Sequence, residues 1–366
     1  MAAGTAGTAG TARTALTTET AEAVDAVAAA GTRERIQPAR PARGRAHRTL
    51  LAALVAAAVI FPVSAAASAD VPAPPPAAMA EDAAPHTRYA ANRVGLTEAA
   101  RMAEEAGRTG RAAKLRAMEA AGTAQFLAFD GRGRGRAVEV FGELETADRV
   151  AVLVPGSDTT LDTYQRFRAG AVTLQQRLQA EHPRSAVVAW LGYDTPGTVS
   201  TTVLTAERAD QAAGELAPFL GRLSDMAGPG AQLSLLCHSY GSVVCARTPT
   251  GPSVADIALF GSPGTGADSA GELPTSARVW AGRGGGDWIA DVPHVRLGGI
   301  GFGPDPVDPA FGAKAFAAGP GGHSDYLKPG TESLDGLAAI VLGSARTAGT
   351  AGAATTTATV SEATRA

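Results

Sequence analysis

The chain has 366 residues, 45% of them hydrophobic, two cysteines, and a formal net charge of −3 at pH 7. That balance leaves no electrostatic footprint for a polyanion, so nucleic acid is not expected as a partner. Two cysteines do not form a zinc set with the available histidines, and the reading requires no metal and no organic cofactor.

In chain order, the ends come first. Residues 1–30 and 345–366 are Ala/Thr/Gly tracts almost without large apolar side chains. Such sequence cannot bury enough surface to offset the entropy of ordering it, and the expectation is disorder over 1–48 and 344–366. Arg33, Arg35, Arg40, Arg43, Arg45 and Arg48 crowd ahead of an apolar run from Thr49 to Phe61, which is followed by "AASAD". A basic flank, an apolar stretch and a small-residue exit are the parts of an export signal, with cleavage after Ala69. Retained instead, residues 49–69 are long enough to anchor the chain in a membrane, although Pro62, Ser64 and Ser68 weaken the second half. Residues 70–89 read as a Pro/Ala-rich linker between membrane and domain.

The expected folded domain spans 90–343. Residues 93–122 are rich in helix formers and are broken near Gly107–Gly110. Strand-like runs at 124–130 and 136–144 flank "GRGRG" and form a hairpin. A regular alternation follows: a strand at "RVAVLVPG", a helix over 163–180, a strand at "SAVVAWLGY", a helix over 203–223 and a strand at "QLSLLCHS". A short helix at "YGSVVCART" then precedes strands at "VADIALFGSPG", "ARVWAG" and "AKAFAAG". Short apolar runs alternating with helices predict an α/β fold. Its central sheet is mostly parallel, with an antiparallel N-terminal edge hairpin and helices on both faces.

In such sheets chemistry gathers at the carboxyl ends of the strands. There "CHSYG", residues 237–241, fits the G-x-S-x-G nucleophile elbow except at its first position, occupied by Cys237. The turn would lift Ser239 Oγ above the sheet. A serine hydroxyl needs a base. His47 and His86 lie in the tails, His182 ends a helix, and His238 reads as a packing residue. His323, on the glycine-rich loop "GPGGHSDY", is chosen over His294, which follows the acid candidates too closely. The acid should follow the strand "ARVWAG"; Asp287 is chosen and Asp291 is the fallback. The oxyanion hole draws one backbone N–H from Tyr240 and another from Ser157 or Asp158, beside Gly156. Trp190, Tyr193 and Phe302 read as core. Only residues 261–276 separate two strands where a cap domain is often inserted, so an open site is expected.

Elbow geometry also bears on the two cysteines. Five helical residues advance about 7.5 Å, and two strand residues span about 6.6 Å. Cys237 and Cys245 therefore come to one level. A disulfide and a pair of reduced buried thiols both fit that spacing.

Together "VLVPGSDTTLDTY", "VAWLGYDTP", "CHSYGS", "GSPGTG", "DPAFGAKAF" and "GGHSDYL" resemble an actinobacterial α/β-hydrolase family whose substrates are largely undefined. The resemblance covers residues 90–343. It implies the α/β-hydrolase fold and a triad of Ser239, Asp287 and His323; where the family has glycine, this chain has Cys237. The expectation is an exported serine hydrolase acting on a small-molecule or lipid-like acyl substrate through an acyl-serine intermediate. An acyltransferase with the same triad, and a catalytically silent envelope-binding protein, are the alternatives.

Overall fold

A computed structural model describes residues 71–120 and 125–345. The expected disordered ends and the export segment at 49–69 lie outside these residues, apart from Ser344 and Ala345, the first two positions of the expected C-terminal tail. Among the described residues no helix is long and apolar enough to cross a membrane.

The domain begins earlier than the sequence suggests. Helix α1 spans Pro85–Glu105, where a linker was expected up to residue 89. Proline suits the first turn of a helix, whose N–H groups have no intrahelical partner. The guanidinium of Arg88 then donates to the carbonyls of Ala80, Glu81 and Ala83 and ties the preceding chain to the helix. Further upstream, the carbonyl of Val71 accepts from Gly133 N at 3.2 Å, and Ala73 packs on the cluster under α1. Helix α2 is Thr109–Ala120. Buried Arg111 grips Asp162 through Nε and Nη2, both at 2.8 Å, and donates to the carbonyls of Gly131 and Gly133.

Eight strands follow: β1 Gln125–Asp130, β2 Arg136–Phe141, β3 Arg149–Val154, β4 Ser185–Leu191, β5 Gln232–His238, β6 Val254–Phe260, β7 Arg278–Gly282 and β8 Lys314–Ala315. They form one sheet in the order β1-β2-β4-β3-β5-β6-β7-β8. Strand β2 pairs antiparallel with both β1 and β4; every later pairing is parallel. The remaining helices are α3 Tyr164–Glu181, α4 Glu207–Met226, α5 Gly241–Arg247 and α6 Glu332–Val341.

Near-continuous apolar strands signal burial on both faces. Val150, Val152 and Val154 of β3 enter the core under α4 and α5. Their neighbours Ala151 and Leu153 point the other way, into the core under α3 and α6. The sole charged side chain buried in β2, Glu139, is neutralised in place: Arg168 Nε donates to it at 2.9 Å and Tyr164 Oη at 3.0 Å. Burial raises its pKa, and the Arg168 charge opposes that shift.

Candidate active site

The elbow forms where β5 gives way to α5. Ser239 has φ 53°, and with Asp158 it is one of two non-glycine residues with positive φ among the described residues. Such backbone costs about 1–3 kcal/mol and persists only where its surroundings enforce it. The enforcement is visible. Ser239 N–H donates to Phe260 O at 3.0 Å, Ser242 N–H donates to Ser239 O at 2.9 Å, and Ser242 Oγ donates to Cys237 O at 3.0 Å. A Cβ on Gly241 would lie 2.5 Å from Val154 O, so only glycine fits against β3 there. A Cβ on Gly156 would lie 2.7 Å from Ser239 Cβ, which places the β3 loop directly beside the nucleophile candidate.

Cys237 and Cys245 are joined in a disulfide, with a Cα–Cα distance of 6.4 Å. Of the two arrangements open from sequence, the bridged one is present. It links the strand before Ser239 to the helix after it.

The loops after β7 and β8 bring the acid and base candidates together. His323 Nδ1 lies 2.8 Å from Asp287 Oδ1. Asp287 is buried and takes two more hydrogen bonds, from Tyr326 Oη to Oδ2 at 2.5 Å and from Ile289 N to Oδ1 at 2.9 Å. Burial alone would raise its pKa. The donors His323, Tyr326 and Ile289 outweigh burial and hold the carboxyl below its ordinary value. An ionised Asp287 makes Nδ1 the protonated nitrogen of neutral His323 and leaves Nε2 as the acceptor. Neither Nε2 nor Ser239 Oγ makes a hydrogen bond among the described residues. His294 lies elsewhere, with Nε2 3.4 Å from Ser262 O and 3.8 Å from Asp305. Asp291 ends the short 3-10 turn Trp288–Asp291 and is exposed.

The oxyanion-hole expectation needs one correction. Asp158 N–H donates to Pro196 O at 3.0 Å. Its positive φ aims the amide at the neighbouring loop, and its carboxylate accepts from Thr198 N at 3.0 Å. Asp158 therefore pins the β3 loop to the β4 loop. The amides of Tyr240 and Ser157 make no hydrogen bond among the described residues.

Two residues beside the pair were not singled out for function by the sequence. Tyr326 both donates to Asp287 and accepts from Gly284 N at 3.0 Å, so it fixes the carboxylate to the β7 loop. His238 packs as the sequence suggests, 5.2 Å from the Phe260 ring. It also places Nε2 2.8 Å from the carbonyl of His323, with ring centroids 4.7 Å apart. Burial and the neighbouring His323 lower its pKa to about 4, so at neutral pH it is an uncharged N–H donor. Spacing marks Tyr326 only as three residues past His323. Nothing in "GGHSDY" says that its side chain folds back onto the acid.

A strand order 1-2-4-3-5-6-7-8 with a positive-φ serine after β5 is one arrangement of fold and site, and the model of the alpha/beta hydrolase family matches residues 130–297. The fold is that of the α/β-hydrolases. The matched span includes Ser239 and Asp287 and stops short of His323. An uncharacterized protein of Mycobacterium tuberculosis is 29% identical over 256 residues, which cover 58% of this chain and 37% of that one. An uncharacterized protein of Mycobacterium bovis is 32% identical over 135 residues, 34% of this chain and 50% of that one. The chain thus spans half or less of the length of these relatives. Among solved structures, the esterase LipW from Mycobacterium marinum is 16% identical, with 67% of this chain and 88% of that one covered and a TM-score of 0.38. A serine hydrolase from Xanthomonas campestris, described as lacking a lid, is 14% identical, with coverages of 57% and 88% and a TM-score of 0.36. Similarity at this level carries no residue roles across.

Proposed function

We propose that this α/β-hydrolase cleaves an ester or related acyl bond through an acyl-serine intermediate. The observation that supports it most is the hydrogen bond from His323 Nδ1 to the ionised carboxylate of Asp287, 2.8 Å long, with the His323 carbonyl 2.8 Å from Nε2 of His238, the residue before a serine held at positive φ. In this reading Ser239 Oγ attacks the acyl carbon while His323 Nε2 takes the hydroxyl proton. Asp287 stabilises the resulting imidazolium without itself becoming protonated. The carbonyl π electrons move onto oxygen, and the amides of Tyr240 and Ser157 receive that oxyanion. Collapse breaks the bond to the leaving alcohol, which departs with the proton from His323. Water, deprotonated by His323, then attacks the acyl carbon, and collapse breaks its bond to Ser239 Oγ, which takes the proton back from His323 as the acid is released. Asp158 takes no part in the oxyanion hole.

A fluorophosphonate probe tests this directly, since it traps a serine that its base has activated. The wild-type chain should label at Ser239 and hydrolyse activated short-chain esters. Ser239→Ala should lose both, with turnover falling by several orders of magnitude. An unlabelled wild-type chain would favour the silent binding protein, and normal turnover by Ser239→Ala would remove the assignment.

A further inference from the structure

Exposed large apolar side chains are not scattered over this molecule. Among the described residues there are seven, and six of them lie on the two loop systems that follow β4 and β7: Val199, Leu204, Trp288, Val295, Leu297 and Ile300. Both systems leave the carboxyl ends of strands, on the side of the sheet where the elbow stands. Their hydrogen bonds fasten them to the catalytic candidates. Thr198 N–H donates to Asp158, next to Ser157. Thr205 O accepts from the hydroxyl of Tyr240, the residue after Ser239, at 2.7 Å. Gly301 N–H donates to Leu204 O at 2.9 Å, so the β7 segment is tied to the β4 loop. The Trp288 ring lies 4.6 Å from the His323 ring, between centroids.

The outermost part of this rim is a small hairpin. Leu297 and Ile300 exchange backbone hydrogen bonds of 2.9 and 3.0 Å around Gly298 and Gly299, both at positive φ. Two positive-φ glycines make the tight reversal that a two-residue loop requires. The backbone is thereby satisfied within the hairpin, and the apolar side chains are left outside, Leu297 81% exposed and Ile300 56%. Clustered apolar exposure on that scale marks a surface that meets another apolar phase.

The location limits what that phase is. A protein partner or a second copy seated on this rim would cover the approach to Ser239. Lipid covers the rim and brings acyl bonds to the serine in the same step. The sequence adds an independent pointer to lipid, the apolar run from Thr49 to Phe61 behind a cluster of arginines. We propose that the rim formed by the β4 and β7 loops seats on a lipid aggregate, with Leu297 and Ile300 inserted, and that the substrate is an acyl lipid taken from that aggregate. This rests on the serine-hydrolase reading for its chemistry, but not for its binding.

Sedimentation with phosphatidylcholine vesicles reads the binding, and two substrates read the chemistry: p-nitrophenyl butyrate in solution and p-nitrophenyl palmitate in mixed micelles. The wild-type chain and Ser239→Ala should both sediment with vesicles. The double variant Leu297→Asn/Ile300→Asn, confined to exposed positions and checked by its melting curve, should lose about tenfold or more in vesicle partitioning. Its ratio of micellar to soluble turnover should fall by a similar factor. Wild-type chain that stays in the supernatant, or a double variant that binds as well as wild type, overturns the proposal. So does a wild-type dimer that the double variant converts to monomer, since the rim would then be a contact between copies. Vesicle binding that depends on Leu297 and Ile300 in a chain inert toward both esters and the fluorophosphonate would support the surface and remove the hydrolase reading instead.

Discussion

Asp287 sits at the meeting point of three donors, and only one of them is the proposed base. Tyr326 is the second side chain, and its hydroxyl is held between Gly284 N and Asp287 Oδ2. Tyr326→Phe removes a hydrogen bond to the charged form of the carboxylate, which leaves that carboxylate more basic. A more basic Asp287 stabilises the His323 imidazolium. The acid limb of the kcat/KM profile should therefore move to higher pH, by about one unit, while kcat falls about tenfold as the carboxylate loses its fixed position. An unmoved acid limb would reduce Tyr326 to a packing residue. His238 makes a different kind of prediction. Its pKa is about 6.5 in an unfolded chain and about 4 in the fold. Between those values the unfolded chain binds the extra proton, so stability is full above about pH 6.5 and falls as pH drops toward 4, by about 3 kcal/mol. The Asp287 carboxyl, already held below its ordinary value, titrates in a lower window. Urea midpoints at pH 7 and pH 4.5 should diverge for the wild-type chain and converge for His238→Gln; an equal spread in both would assign the loss to other groups.

At the level of elements, the disulfide Cys237–Cys245 encloses the elbow between the end of β5 and the middle of α5. Its ends are eight residues apart, and closing so short a loop in the unfolded chain is worth about 2.5 kcal/mol in the chain-entropy account. Cys237→Ser/Cys245→Ser should lower stability by about that amount. Ester turnover should fall as well, because the positive φ of Ser239 then rests on hydrogen bonds alone. Denaturation midpoints and kcat with and without reductant check both, and a reduced chain with unchanged midpoint would leave the bridge without a stabilising role. The strands β1 to β7 were legible because each is a short apolar run buried on both faces, which leaves a mark in sequence that few other elements share. Helix α6 has no clear start in the sequence, although Thr331 caps it by accepting from Leu334 N and Leu334, Leu337, Ala338 and Val341 give it one apolar face. It follows a glycine-rich loop and "KPG", and those breakers masked its start. The last strand is shorter than its apolar run suggests. In "AKAFAAG" only Lys314 and Ala315 pair with β7, and Phe316 turns inward to pack on the core under α6. For the site, the elbow was readable from Ser239, Gly241 and their flanking apolar runs. Asp287 follows from the order of the strands and His323 from elimination among the histidines and its glycine-rich loop, whereas the contacts of Tyr326 and His238 depend on how distant loops meet over the sheet.

The whole molecule has a boundary that composition misplaced. Proline and alanine over residues 70–89 look like a spacer, yet from Val71 onward the chain lies against the domain: Val71 O on Gly133 N, Ala73 on the cluster under α1, Pro85 buried in the first turn and Tyr89 against the main core. Burial of that last side chain is deep enough to push its hydroxyl pKa well up. A chain shortened to begin at Asp70 keeps all of these contacts, and one shortened to begin at Ala90 loses them together with the Arg88 bonds that hold the start of α1. Burial of a proline and a tyrosine, discounted for partial exposure, amounts to about 2 kcal/mol or more. In a domain of this size that corresponds to a fall in Tm of about 5 °C. Helices α1 and α2 pack on the β1 edge of the sheet, with β2, β4 and β3 between them and the elbow on β5. Ester turnover at 25 °C should therefore be nearly the same in both shortened chains, and only the melting temperature should separate them. Equal melting temperatures would return residues 70–89 to the role of a spacer, while a matching loss of turnover would show that the N-terminal helices support the site as well as the edge.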